Sequence, residues 1–149
     1  SEKFILSSNN QIQEKFLEYL STVEFKKILL YSPYKNEIKL DLVLKKLNEM
    51  QKEIFIPKVF PNNELKFNLL ESCKQLIKNK YNILESQSNL FVKANMINVL
   101  VVPFLGIDGN GKFKLLITSE GFLELLVNCP NSSTFIAINS ILLSISIFS

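Results

Sequence analysis

Two kinds of apolar pattern alternate along the chain. Helical spacing comes first at Ile12, Phe16, Leu17 and Leu20, with Gln and Glu between, and predicts an amphipathic helix from a cap at Asn9 or Asn10 to about Val23. It returns at Leu40, Val43, Leu44 and Leu47, predicting a second helix from Ile38 to about Gln51. Weaker helical spacing through Leu70, Cys73 and Ile77 predicts a helix over Leu69 to Lys80, and Ser119 would cap another through Phe122, Leu125 and Leu126. Between these lie short unbroken apolar runs. Ile28 to Tyr31 is closed by Ser32-Pro33, Ile54 to Ile56 by Pro57, and Val99 to Val102 by Pro103, because proline cannot donate to a sheet ladder. Further strands are expected at Leu65 to Phe67, Leu115 to Ile117, Phe135 to Ile138 and Ile141 to Phe148. Ser1 to Leu6 has no clear period, and the polar stretch Asn82 to Ser88 reads as loop.

Strand, helix, strand with short connections is the signature of a parallel sheet, and runs without alternation are strands covered on both faces. The expected fold is therefore α/β: a three-layer α/β/α sandwich with a mainly parallel sheet, formed by residues 1–149 as a single domain. Asn98 to Lys114 organises this arrangement. A buried strand runs into a turn where Asp108 and Asn110 can bond their own backbone and Gly109 and Gly111 tolerate positive φ, before a short strand begins at Lys112. Loops at the carboxyl ends of parallel strands are where α/β proteins hold ligands.

Composition narrows the chemistry by exclusion. The chain has no histidine, so His-based triads and imidazole metal sites are ruled out. Cys73 and Cys129 stand far apart, in no metal-ligand spacing, and read as small buried apolar residues in a reduced, cytoplasmic setting. Every basic residue is a lysine and the net charge is only +3, which speaks against nucleic acid as a partner. The longest apolar stretch, Thr134 to Phe148, is interrupted by serines and shorter than the roughly 20 residues that span a bilayer. No signal segment, membrane association or oligomer is expected.

Five short motifs in order resemble the 5-formyltetrahydrofolate cyclo-ligase family. I-L-L-Y-S-P-Y-K-N-E-I resembles its strand ending in Tyr followed by Glu-Ile, and I-F-I-P-K-V its strand ending in Pro-Lys or Pro-Arg. L-K-F resembles its Met-x-Phe element, Y-N-I-L-E-S its Tyr-Gly-Ile-x-Glu-Pro turn, and the Asn98 to Lys114 stretch its Leu-Val-Pro-Gly-x-x-Phe-Asp-x-x-Gly. The resemblance implies ATP-dependent, Mg²⁺-assisted conversion of 5-formyltetrahydrofolate, a reduced folate, to 5,10-methenyltetrahydrofolate. It implies substrate-binding roles for Glu37, Phe67, Tyr81 and Glu85, a metal-associated role for Asp108, and ATP contacts from Gly111, Lys112 and Lys114, and leaves catalytic residues unassigned. The residues alone permit other readings: Glu37 as an acid complementing a helix start, Phe67 as core, Lys58 as a solvated lysine at a strand end, and Asp108 as a turn former.

The pattern departs from the family on the nucleotide side. The family's Lys and Arg pair in an N-terminal helix has no counterpart at Lys3. Its Gly-x-Arg-x-Gly-x-Gly-x-Gly-Tyr-Tyr-Asp loop is matched at Gly111, but Phe113 stands at the arginine, and Leu115, Ile117 and Ser119 at the glycines. Lysines there would offer point charges rather than forks. The alternative to an enzyme is thus a non-catalytic folate-binding or protein-interaction module that has lost the phosphate loop.

Overall fold

The computed structural model describes residues 2–33, 37–62, 64–71, 76–80, 82–107, 113–115, 134–139 and 144–148. Helix α1 (Glu2–Leu20) leads to β1 (Lys27–Leu29), α2 (Asp41–Glu49), β2 (Glu53–Val59) and β3 (Leu65–Leu69). There follow β4 (Leu76–Lys78), β5 (Leu84–Ser86), β6 (Phe91–Val92), a 3-10 turn at Ala94–Met96, and the long β7 (Val99–Ile107). Strands β8 (Phe113–Leu115), β9 (Thr134–Asn139) and β10 (Ser144–Phe148) complete the order.

The main sheet runs β10-β9-β7-β1-β2-β3-β6, with β8 added to β7. Its centre is parallel: β2 and β7 flank β1, and β9 flanks β7, all in one direction. Antiparallel strands finish both edges. Asn98 aligns the middle of this sheet, since its side-chain oxygen accepts hydrogen bonds from the Lys26 and Lys27 backbone N–H groups at 3.0 and 2.8 Å. The first cross-strand pair, Lys27 with Glu53, is also an ion pair, and the Lys27 hydrogen bond holds the Glu53 carboxyl below its ordinary range.

One side chain in two points to each face of a strand. Ile28, Leu30, Ile54, Ile56, Val99 and Val101 face α1 and α2, where Ile12, Phe16, Leu20, Val43 and Leu47 meet them in one core. Leu29, Phe55 and Leu100 are in register with one another and turn the other way, and all three are buried, so that face is covered as well. This is the expected α/β architecture, a parallel-centred sheet flanked by helices. The helix expected from Ser119 lies outside the described residues, as do Cys73 and Cys129.

Several local expectations are corrected. Helix α1 begins at Glu2, not at an Asn9 or Asn10 cap, and both asparagines lie inside it. Helix α2 spans only Asp41–Glu49, starting after Ile38 and stopping before Gln51, which takes a left-handed φ of 57°. Neither Pro57 nor Pro103 ends its strand. The pairing of β2 with β1 stops at Phe55, so Pro57 faces an open edge on that side while pairing with Phe67 of β3 on the other. Pro103 falls between the last β1 pair, at Leu100, and the first β8 pair, at Phe104. A missing N–H is tolerated at both places. Within the helix expected over Leu69 to Lys80, Leu69 ends β3, residues 72–75 lie outside the described residues and Leu76–Lys78 form β4. Within the loop expected over Asn82 to Ser88, Leu84–Ser86 form β5, and β4 and β5 pair as an antiparallel hairpin. Its turn is made by asparagines: Asn79 Oδ1 accepts the Ile83 N–H at 3.1 Å, and Asn82 adopts a φ of 63°.

Candidate functional site

The parallel direction of β1, β2 and β7 brings their carboxyl ends to one edge of the sheet. Glu37 follows β1 at that edge, Lys58 lies near the end of β2, and β7 ends there at Ile107. Asp108, Gly111 and Lys112 lie outside the described residues, and so does Tyr81. Lys114 sits on β8 opposite Gly106 of β7.

Glu37 is only 8% exposed, and the segment that carries it is fastened on both sides. The Tyr31 hydroxyl donates to the Ile38 carbonyl at 2.7 Å, and Asn9 Oδ1 on α1 accepts the Lys39 N–H at 2.9 Å. One turn along α1, Gln13 Oε1 accepts the N–H groups of Leu42 and Val43 at 2.9 and 3.2 Å, while Gln13 Nε2 donates to Asp41. Helix α2 has no side-chain cap of its own at Leu40, so a glutamine from another helix satisfies N–H groups that would otherwise be orphaned. The sequence reading offers Asn9 only as a helix cap and assigns no role to Gln13 or to the Tyr31 hydroxyl. The signal was there in part: Asn9 and Gln13 are polar positions one turn apart, beside the apolar stripe of α1.

Burial, and secondarily the Glu37 carboxylate, push the Tyr31 phenol far above its ordinary range. A folded-state value above the unfolded one contributes stability that is full below about pH 10 and is lost as pH climbs further. Wild-type protein should therefore lose more unfolding free energy than Tyr31→Phe between about pH 8 and pH 11 in urea titrations. Equal losses would show that the phenol is not held neutral by the fold.

On the other side of β2, the hairpin β4–β5 leans on the sheet. Glu85 is 9% exposed, and Asn79, which turns the hairpin, also donates from Nδ2 to Glu85 Oε1 at 2.9 Å. Lys58 Nζ donates to the Ser86 carbonyl at 3.4 Å, and Ser86 Oγ donates to the Leu69 carbonyl at 2.7 Å. Ser86 stands where the resembling motif has proline, and its hydroxyl ties the hairpin to β3. Asn68 Nδ2 donates to the Ser88 carbonyl at 2.8 Å, whereas Asn68 Oδ1 is buried with no hydrogen-bond partner among the described residues. Asn68 thus turns toward this segment, and strand alternation sends the adjacent Phe67 to the opposite face of β3, beside Pro57 and Val92. Phe67 is buried there. Glu37 thus lies past the carboxyl end of β1, and Lys58 near that of β2 reaches Ser86, the neighbour of Glu85, while Phe67 does not turn to the same side as the hairpin contacts.

Among the described residues, no group of three or more His, Cys, Asp or Glu side chains is placed to hold a metal ion, and no helix is long and apolar enough to cross a membrane. What the arrangement offers is hydrogen-bond acceptors of fixed position, in Glu37 and Glu85.

A parallel-centred α/β sheet with a buried carboxylate, Glu37, following β1 at the carboxyl edge places the chain in the open-sheet α/β class, whose ligands bind at that edge. The profile of the 5-formyltetrahydrofolate cyclo-ligase family matches residues 1–123, and the chain belongs to that family. Among solved structures it is similar to a 5,10-methenyltetrahydrofolate synthetase from Mycoplasma pneumoniae, with a TM-score of 0.71 and 21% identity, over 93% of this chain and 74% of that one. It is also similar to the 5,10-methenyltetrahydrofolate synthetase of Aquifex aeolicus, with a TM-score of 0.65 and 21% identity, over 93% of this chain and 73% of that one. At that identity the likeness establishes the fold. Comparison with curated proteins gives no match.

Proposed function

We propose that the protein is a 5-formyltetrahydrofolate cyclo-ligase, closing 5-formyltetrahydrofolate to 5,10-methenyltetrahydrofolate with ATP and Mg²⁺, as a cytoplasmic monomer. Family membership over residues 1–123 carries this reading, and the buried, fastened Glu37 at the ligand edge supports it. A pterin presents ring N–H groups, for which Glu37 and Glu85 supply acceptors. Tyr81 supplies aromatic surface to the same ligand. ATP would supply the phosphoryl group that activates the formyl oxygen. Gly111, Lys112 and Lys114 would hold its phosphates, the lysines acting as point charges. Mg²⁺ bound with a nucleotide is held mostly by phosphates and water and needs only one or two protein carboxylates. Asp108 meets that demand, and the absence of a carboxylate cluster among the described residues is compatible with it.

Isothermal titration separates the enzyme from a folate-binding module. Both 5-formyltetrahydrofolate and ATP-Mg²⁺ are expected to bind. Binding of the folate without the nucleotide would favour a non-catalytic module, and binding of neither would defeat the assignment.

A further inference from the structure

Lys58 and Lys66 stand directly opposite each other in the β2–β3 ladder, on the same face of the sheet. Like charges so placed repel, and such pairs are avoided unless something offsets them. Here the partial offset is aromatic. Both ammonium groups lie over the Phe60 ring, at 5.6 and 4.8 Å from its centroid, and Lys66 Nζ is also 5.0 Å from the centroid of Phe91. The two rings meet edge to face, with centroids 5.7 Å apart.

Negative charge is scarce around them. Glu64 approaches Lys66 at 3.9 Å, from a side chain that is itself half-exposed, and among the described residues no carboxylate pairs with Lys58. Apolar surface lies beside them: Phe91, whose ring Lys66 overlies, is 44% exposed. Glu64 shows which chemistry the pair accepts, and its loose contact leaves room for exchange.

We propose that Lys58, Lys66, Phe60 and Phe91 form a surface site for a small aromatic carboxylic acid. The carboxylate takes the place that Glu64 loosely holds beside Lys66 and also meets Lys58 across the ladder, and the flat body of the ligand lies on the exposed Phe91 ring. An ammonium already drawn over an aromatic ring is partly desolvated, which strengthens its attraction for an incoming anion. The site stands on the lysine pair and the exposed rings alone and is independent of the assignment of Glu37 and Glu85 to a folate.

The test follows backbone amide shifts of the isotope-labelled protein during titration with benzoate, inorganic phosphate and an acidic Glu-Glu-Phe peptide at matched ionic strength. Benzoate is expected to give saturable shifts at Lys58, Phe60, Lys66 and Phe91. Its Kd should rise about fivefold or more in both Lys58→Gln and Phe91→Ala, and stay unchanged in Lys46→Gln, a surface control. Phosphate binding as tightly as benzoate would overturn the proposal, as would shifts that persist in Lys58→Gln. Binding of the peptide without benzoate would equally overturn the assignment to a small acid.

Discussion

Glu37→Gln is expected to weaken binding of 5-formyltetrahydrofolate by about tenfold to a hundredfold, the effect of losing a charge-assisted hydrogen bond worth about 1.5–3 kcal/mol. The substitution is nearly isosteric. It therefore leaves the packing of the segment intact, and the backbone bonds from Asn9, Gln13 and Tyr31 that fasten that segment do not involve the Glu37 carboxylate. What changes is the acceptor: a carboxylate with two charged oxygens becomes an amide with one neutral oxygen and a donor facing the ring N–H groups. Isothermal titration reads the affinity, and an unfolding curve checks that the fold is retained. Unchanged affinity in a folded variant would remove Glu37 from the folate site and leave it as an acid at the approach to α2.

The largest expected effect on stability is at Phe16. Its side chain is fully buried, on the α1 stripe with Ile12 and Leu20, against α2 and the β1 side of the sheet. Phe16→Ala removes most of a ring from a closely packed interior and leaves a cavity that the rigid sheet cannot close. The expected loss is about 3–5 kcal/mol, read from the urea midpoint. Against a total of about 5–15 kcal/mol this approaches global unfolding. Leu6→Ala, at an exposed position of the same helix, should change the midpoint little. A small loss at Phe16 would mean that α1 is not part of the cooperative core. Because α1 also carries Asn9 and Gln13, loosening it should weaken folate binding even where the protein remains folded.

The core of the fold was legible because its determinants are local. The runs at Ile28, Ile54 and Val99 contain no alternation, the intervening stripe at Val43 and Leu47 has helical period, and together they specify β1, α2, β2 and β7. What was misread depends on neighbours. Proline signals a strand end only where both edges are occupied, and Pro57 and Pro103 each meet a gap in the ladder that no sequence pattern records. The β4–β5 hairpin was hidden because Leu70, Cys73 and Ile77 happen to share a helical spacing, whereas the deciding residues are Asn79 and Asn82 in the turn. At the start, Asn9 resembles a cap. Its side-chain oxygen instead serves the Lys39 N–H, 30 residues away, a partner visible only once α1 lies across α2.

The same distinction holds for the site. Glu37 and Glu85 are named by the family resemblance because its motifs are short and local. Asn9, Gln13 and Tyr31, which fasten the Glu37 segment, act through bonds to distant backbone groups, and the polar spacing of Asn9 and Gln13 on α1 does not say which groups they meet. Phe67 marks the limit of motif reading in another way. Its neighbour Asn68, not Phe67 itself, turns toward the hairpin, because a strand alternates whatever its motif suggests.

Turnover tests the central claim most directly: purified protein is mixed with 5-formyltetrahydrofolate, ATP and Mg²⁺, and the absorbance of the methenyl product is followed with time. The expected result is steady growth that requires all three components and is strongly reduced in Glu37→Gln. No growth from a folded protein that binds both folate and nucleotide would contradict the assignment of cyclo-ligase activity.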